Sequence, residues 1–149
     1  MGAALFYHLT RSAPEALLPI LLSKSLAAGW RVELRSAHRG ALERLDESLW
    51  QGDGFLPHGL AGGPFDAQQP VLLTQNRQEG VNQPSCLMVV HGAEVTPEDC
   101  RPLERSCILF DGNDPEALDR ARAQWRLLTQ AGIEAQYWSE ASGRWERKQ

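Results

Sequence analysis

Two short stretches, Cys86-Leu-Met-Val-Val90 and Cys107-Ile-Leu-Phe110, are apolar without a break. An alternating strand needs cover on one face only, whereas an unbroken apolar strand has to be buried on both. Runs this short predict strands rather than helices, and cover on both faces predicts a parallel sheet held between helical layers. Val71-Leu-Leu-Thr74 and Ala4-Leu-Phe-Tyr-His-Leu9 read as further strands of that sheet.

Helix-length segments separate these strands. Ser12, followed three residues later by Glu15, has capping-box spacing and predicts the start of a Leu-rich helix ending at Gly29. Pro19 within it either marks the true first turn or kinks the helix. Trp30 to Arg35 alternates polar and apolar, which predicts a strand with one face less buried. His38 to Trp50 carries Leu42, Leu45 and Leu49 at helical spacing, and residues 51–69, rich in Gly and Pro, predict an irregular segment. Residues 77–85 read as a polar loop and Thr96 to Leu103 as a short helix. Asp114, Pro115 and Glu116 supply an N-cap, a proline in the first turn and an acid beside it, for a helix running to Gly132. Glu134 to Trp138 and Arg144 to Arg147 read as a strand pair around Ser142-Gly143. The pattern predicts an α/β fold in a single domain over residues 1–149. It is a Rossmann-like three-layer sandwich, with a largely parallel sheet and antiparallel strands at the C-terminal end.

Folds of this kind often bind nucleotides at the carboxyl ends of their strands. Here the turn after the first strand, His8-Leu-Thr-Arg-Ser-Ala-Pro14, has no glycine, and no G-x-x-x-x-G-K-[ST] motif occurs. Gly59-Leu-Ala-Gly-Gly63 has no neighbouring Lys, Ser or Thr and reads as a tight backbone turn. His8, His38, His58 and His91 show no metal-ligand spacing. Asp46-Glu47 reads as a solvated helix face, because adjacent helical residues point apart. Cys86, Cys100 and Cys107 form no C-x-x-C pair and read as small buried hydrophobes in a reducing compartment. No catalytic residue, metal or cofactor is expected. The longest apolar stretches are a few residues, and the N-terminus lacks the pattern of a signal peptide, so a cytoplasmic protein without a membrane partner is expected.

Charge is unevenly placed. Residues 1–100 carry 7 Lys/Arg against 11 Asp/Glu, while residues 101–149 carry 8 of each, for a net charge of −4. A protein that grips phosphates directly shows a basic stripe, so contact with nucleic acid is expected to be indirect only.

Several segments, in order and at matching spacing, resemble the chi subunit of bacterial DNA polymerase III. They are Phe6-Tyr7, Gly29-Trp30-Arg31-Val32, and Leu45-Asp46-Glu47-Ser48-Leu49-Trp50, which is similar to the family's L-D-E-x-L-W. Phe55-Leu56-Pro57-His58 with Ala61-Gly62 is similar to its F-x-P-H-x-x-A-G, and Pro70-Val71 and Ala131-Gly132 complete the set. The resemblance implies a non-catalytic adaptor. Such subunits connect the clamp-loader complex, in some bacteria through the psi subunit, to the acidic C-terminal tail of single-stranded-DNA-binding protein. That tail ends in Pro-Phe with a free carboxylate, so its site must offer cations beside an apolar pocket.

Two surfaces are candidates. On the last helix, Ala117, Ala121, Trp125 and Leu128 form an apolar stripe with Leu118 at its edge, and Arg122 lies beside both Leu118 and Trp125. Arg126 adjoins Arg122 on the polar side. From the helix alone, Trp125 reads as core with the Arg122 stem lying over it. The resemblance implies instead that Arg122 and Trp125 bind the tail, with Arg126 and Leu118 beside them. Leu118 stands where some relatives have a Lys, and Arg120 projects to the far side of the helix. The second surface is Trp50, Phe55, Pro57 and His58, where Trp50 and Phe55 match residues that contact psi; local packing of the loop is the other reading for Pro57 and His58. The alternative to an adaptor is a small nucleotide- or metabolite-binding enzyme on the same fold.

Overall fold

The unbroken apolar runs lie side by side at the centre of a sheet covered on both faces. The computed structural model describes residues 3–51, 56–75 and 81–149. In chain order the elements are β1 (Ala3–Leu9), α1 (Pro14–Ala27), β2 (Val32–Ser36), α2 (Arg39–Gln51), β3 (Gly59–Leu60) and β4 (Val71–Gln75). There follow β5 (Cys86–Val90), α3 (Pro97–Cys100), β6 (Arg105–Asp111), α4 (Pro115–Gln130), β7 (Ala135–Ser139) and β8 (Glu146–Arg147). The sheet order is β3-β4-β2-β5-β6-β1-β7-β8. Every neighbouring pair is parallel except β7 with β8.

Period-two alternation divides the core. Cys86, Met88 and Val90 of β5 and Cys107 and Leu109 of β6 face α1 and α2, where they meet Leu18, Leu22, Leu42, Leu45 and Leu49. Leu87, Val89, Ile108 and Phe110 turn the other way, with Ala4 and Phe6 of β1, to meet Ala121 and Leu128 of α4. The three-layer α/β architecture is therefore as expected, and the antiparallel pairing is confined to β8. Among the described residues no helix is long and apolar enough to cross a membrane.

Four local expectations change. Ser12 does not cap α1: Ala13 holds the N-cap position without a side-chain bond, because the Ser12 hydroxyl and amide both go to Glu140, at 2.9 and 2.8 Å. Pro14 opens the helix, so Pro19 lies in its interior. β2 is buried along its whole length, because Glu33 and Arg35 on its second face pair with each other, at 3.0 Å, instead of facing water. Asp46 is more than a solvated group, since its carboxylate meets His58 Nε2 at 3.1 Å. The irregular segment contains a strand and a 3-10 turn at Asp66–Gln68. Of the polar loop at 77–85, residues 77–80 lie outside the described residues.

Candidate functional site

Helix α4 begins where the sequence marked it: Asp114 Oδ1 accepts from the Glu116 amide at 3.1 Å, with proline in the first turn. Its stripe behaves as its spacing requires. Ala121 and Leu128 are buried, and Trp125 is half-buried, edge-on to Phe6 at 5.3 Å and to Tyr137 at 6.0 Å. Trp125 is thus both core and rim. Leu118 also packs partly into this cluster. Arg122, its side chain 61% exposed, pairs with Asp119 at 3.8 Å on the same helix. An exposed pair of that kind holds the guanidinium weakly. Arg126 is exposed and has no ion pair among the described residues. Arg120 lies on the far side, against Gly92. The margin Leu118–Arg122–Trp125 is therefore assembled, with Arg126 alongside.

Sequence reasoning missed what lies beside that margin on the sheet. β1 and β7 are neighbours with Phe6 opposite Tyr137, so His8, two residues on, shares their face. The Tyr137 hydroxyl lies 2.7 Å from His8 Nδ1. Burial pushes the Tyr137 hydroxyl pKa up, and Arg122 is near enough to oppose the shift. Alternation along β7 could have marked Tyr137 as inward-facing, but no local signal joins it to His8.

On the other surface, Trp50 is 54% exposed at the end of α2 and lies over the His58 ring, with centroids 4.2 Å apart. His58 is buried. Its Nδ1 donates to the Leu56 carbonyl at 2.7 Å, and its Nε2 faces the Asp46 carbonyl at 3.2 Å. It therefore ties the loop to α2 and supports Trp50 from below. Pro57 is half-buried beside it, and Phe55 lies outside the described residues.

A crevice of about 450 Å³ opens at the carboxyl ends of β5 and β6, between the starts of α1 and α4, and its lining includes His38, His91 and Arg120. Doubly wound sheets commonly hold ligands there. The neighbouring β1–α1 turn, however, has its backbone donors engaged: the amides of Thr10, Arg11 and Ser12 all give to Glu140 Oε2, at 3.0, 3.0 and 2.8 Å. The glycine-rich turn is filled in the same way. Gly62, at φ 109°, and Gly63 give their amides to the Asp66 carboxylate at 2.9 and 3.0 Å. Both backbone nests that could cradle a phosphate thus hold the protein's own carboxylates. The three cysteines are buried, and contact with Cys86 together with burial pushes the Cys107 thiol pKa well up. That is the opposite of an activated nucleophile. Among the described residues, no group of three or more His, Cys, Asp or Glu side chains could hold a metal ion.

The described residues thus define an α/β sandwich with two outward-facing aromatic surfaces, one of them flanked by the exposed guanidinium groups of Arg122 and Arg126. Residues 1–136 match the family model of the DNA polymerase III chi subunit, HolC, and the chain belongs to that family. It is an accessory subunit of the DNA polymerase III complex and serves DNA replication. No curated relative matches the sequence.

Proposed function

We propose that this protein links the clamp-loader complex to single-stranded-DNA-binding protein by holding that protein's acidic C-terminal tail against the surface where α4 meets β7. The supporting observation is that two exposed cations, Arg122 and Arg126, stand on the helix that carries the half-buried Trp125, whose ring meets Tyr137. A guanidinium can take a carboxylate in a two-pronged contact, and the ring edges flank a terminal phenylalanine. Leu118, where some relatives carry a Lys, adds apolar wall instead of charge. The protein's contribution is attachment; polymerisation belongs to other subunits.

The test is a calorimetric titration of a short acidic peptide ending in Pro-Phe. Wild type binds it, and binding weakens as salt rises, since the attraction is largely between exposed charges. Arg122→Glu lowers affinity by at least about 30-fold, the loss expected for a hydrogen-bonded charge pair. It leaves the unfolding midpoint within about 0.5 kcal/mol of wild type, as for other exposed positions. Equal affinity in the variant places the tail elsewhere.

The Trp50 surface is proposed to take the psi subunit or another clamp-loader subunit, with Phe55, Pro57 and the underlying His58 contributing. An exposed tryptophan seated on a fixed ring loses little freedom on binding. Trp50→Ala is expected to cost about 2 kcal/mol or more of clamp-loader association in a reconstituted complex, as interface anchors do. Its affinity for the acidic peptide stays the same. Unchanged retention of the clamp loader removes this assignment.

A further inference from the structure

We propose that Tyr137 and His8 form a carboxylate-reading pair where α4 meets β7, with the Tyr137 hydroxyl donating to the terminal carboxylate of the bound peptide beside Arg122. This rests on the tail-binding reading above and names the group that recognises the chain end. The inference begins from the 2.7 Å contact between Tyr137 Oη and His8 Nδ1, which has two possible senses. If the hydroxyl donates to the imidazole, it has no proton left for a ligand. If Nδ1–H donates to the hydroxyl, the hydroxyl proton is free to point outward.

The second sense is the one proposed, with the ring held in place by its neighbours. The His8 ring is stacked on Phe110, at 5.2 Å and 28°, and stands edge-on to Tyr137 at 5.7 Å. Its opposite edge is pressed against Gly112, so closely that a Cβ there would fall 1.9 Å from Nε2 and 1.7 Å from Cδ2. A proton on Nδ1 has the tyrosine oxygen as its acceptor, and the proposed pair uses that sense. Gly112 leaves room for the ring edge, and in the Nδ1–H tautomer the hydroxyl proton is left for a ligand.

The position suits a chain terminus. β6 and β7 are both parallel to β1, so α4, which joins them, returns antiparallel to the strands and brings Leu118 and Arg122 towards the carboxyl ends where His8 lies. A terminal phenylalanine seated against Trp125 then places its carboxylate between a charged donor, Arg122, and a neutral one, Tyr137. Preceding aspartates extend towards the exposed Arg126. The hydroxyl stays protonated, because burial raises its pKa.

The test uses two peptides of one acidic sequence, ending in Pro-Phe with a free carboxylate or a carboxamide. Tyr137→Phe removes one oxygen and keeps the ring against Trp125. It is expected to weaken the carboxylate peptide about tenfold and the carboxamide peptide less than about twofold, as for loss of one hydrogen bond to a charged group. His8→Leu follows the same pattern more weakly, and nitrogen NMR of wild type shows His8 as the Nδ1–H tautomer. If Tyr137→Phe leaves both peptides unchanged, or weakens both alike, the inference is overturned, and so it is by an Nε2–H tautomer in the complex. The tail reading survives those results as long as Arg122→Glu still weakens binding by at least about 30-fold. A wild-type protein that binds neither peptide overturns both.

Discussion

Replacing Arg35 with methionine is expected to destabilise the fold by about 3–5 kcal/mol, read as a lower midpoint in a denaturant unfolding curve. Glu33 and Arg35 are each only 5% exposed in the middle of the sheet. Arg35 Nε holds Glu33 Oε2 at 3.0 Å, while its Nη1 reaches the Asp99 carboxylate at 3.0 Å and the Glu94 carbonyl at 2.9 Å. Thr74 gives Glu33 a further bond at 2.8 Å. Removing the guanidinium leaves the buried Glu33 carboxylate with the Thr74 hydroxyl as its one side-chain partner among the described residues, and that uncompensated charge is the source of the loss. The network as a whole is a different matter. Desolvating both charges offsets most of their attraction, so Glu33→Leu, Arg35→Met and Thr74→Val together are expected to recover most of the stability. An Arg35→Met protein with the wild-type midpoint would show that Glu33 needs no partner.

Glu140→Ala is expected to cost about 2–3 kcal/mol, because three backbone amides and the Ser12 hydroxyl lose their acceptor at once. The same contacts set a pH dependence. Burial works against charge on Glu140, but the donors from Arg11, Ser12 and Thr10 outweigh it and hold the carboxyl below the usual glutamate range. A carboxyl lowered in the folded state adds stability that is complete above its unfolded pKa and is lost as pH falls through the folded one. Asp99 behaves alike: burial opposes its charge, while Arg35 and Thr96 hold its carboxyl below the ordinary range. Wild type therefore loses stability on acidification below the ordinary carboxylate range, and Glu140→Ala loses less over that interval. Parallel acid-unfolding curves for the two proteins would remove Glu140 as a source of the effect.

These two sites also show where local reading stops. Ser12 has the right spacing for a cap, yet its hydroxyl and amide go to a glutamate 128 residues away. Alternation in β2 suggests a wet face, yet Arg35 is paired with Asp99, 64 positions on. Asp114, by contrast, caps α4 as marked, because its acceptor and donor are two residues apart. On the functional side, the Leu118–Arg122–Trp125 margin was legible because helical periodicity alone puts those residues together. The Tyr137–His8 pair, 129 positions apart, was not.

By itself the sequence determined the layer structure, since apolar periods of two and 3.6 are local and their burial is non-directional. It also determined the α4 margin and, through motifs such as Leu45-Asp-Glu-Ser-Leu-Trp50, the family. Only the tertiary structure decided which carboxylate meets which donor and that the His8 ring lies against Gly112 with Tyr137 beside it. Hydrogen bonds and ion pairs are short-ranged and directional, so their partners follow from strand order. Here β1 lies between β6 and β7, an arrangement that no local pattern encodes.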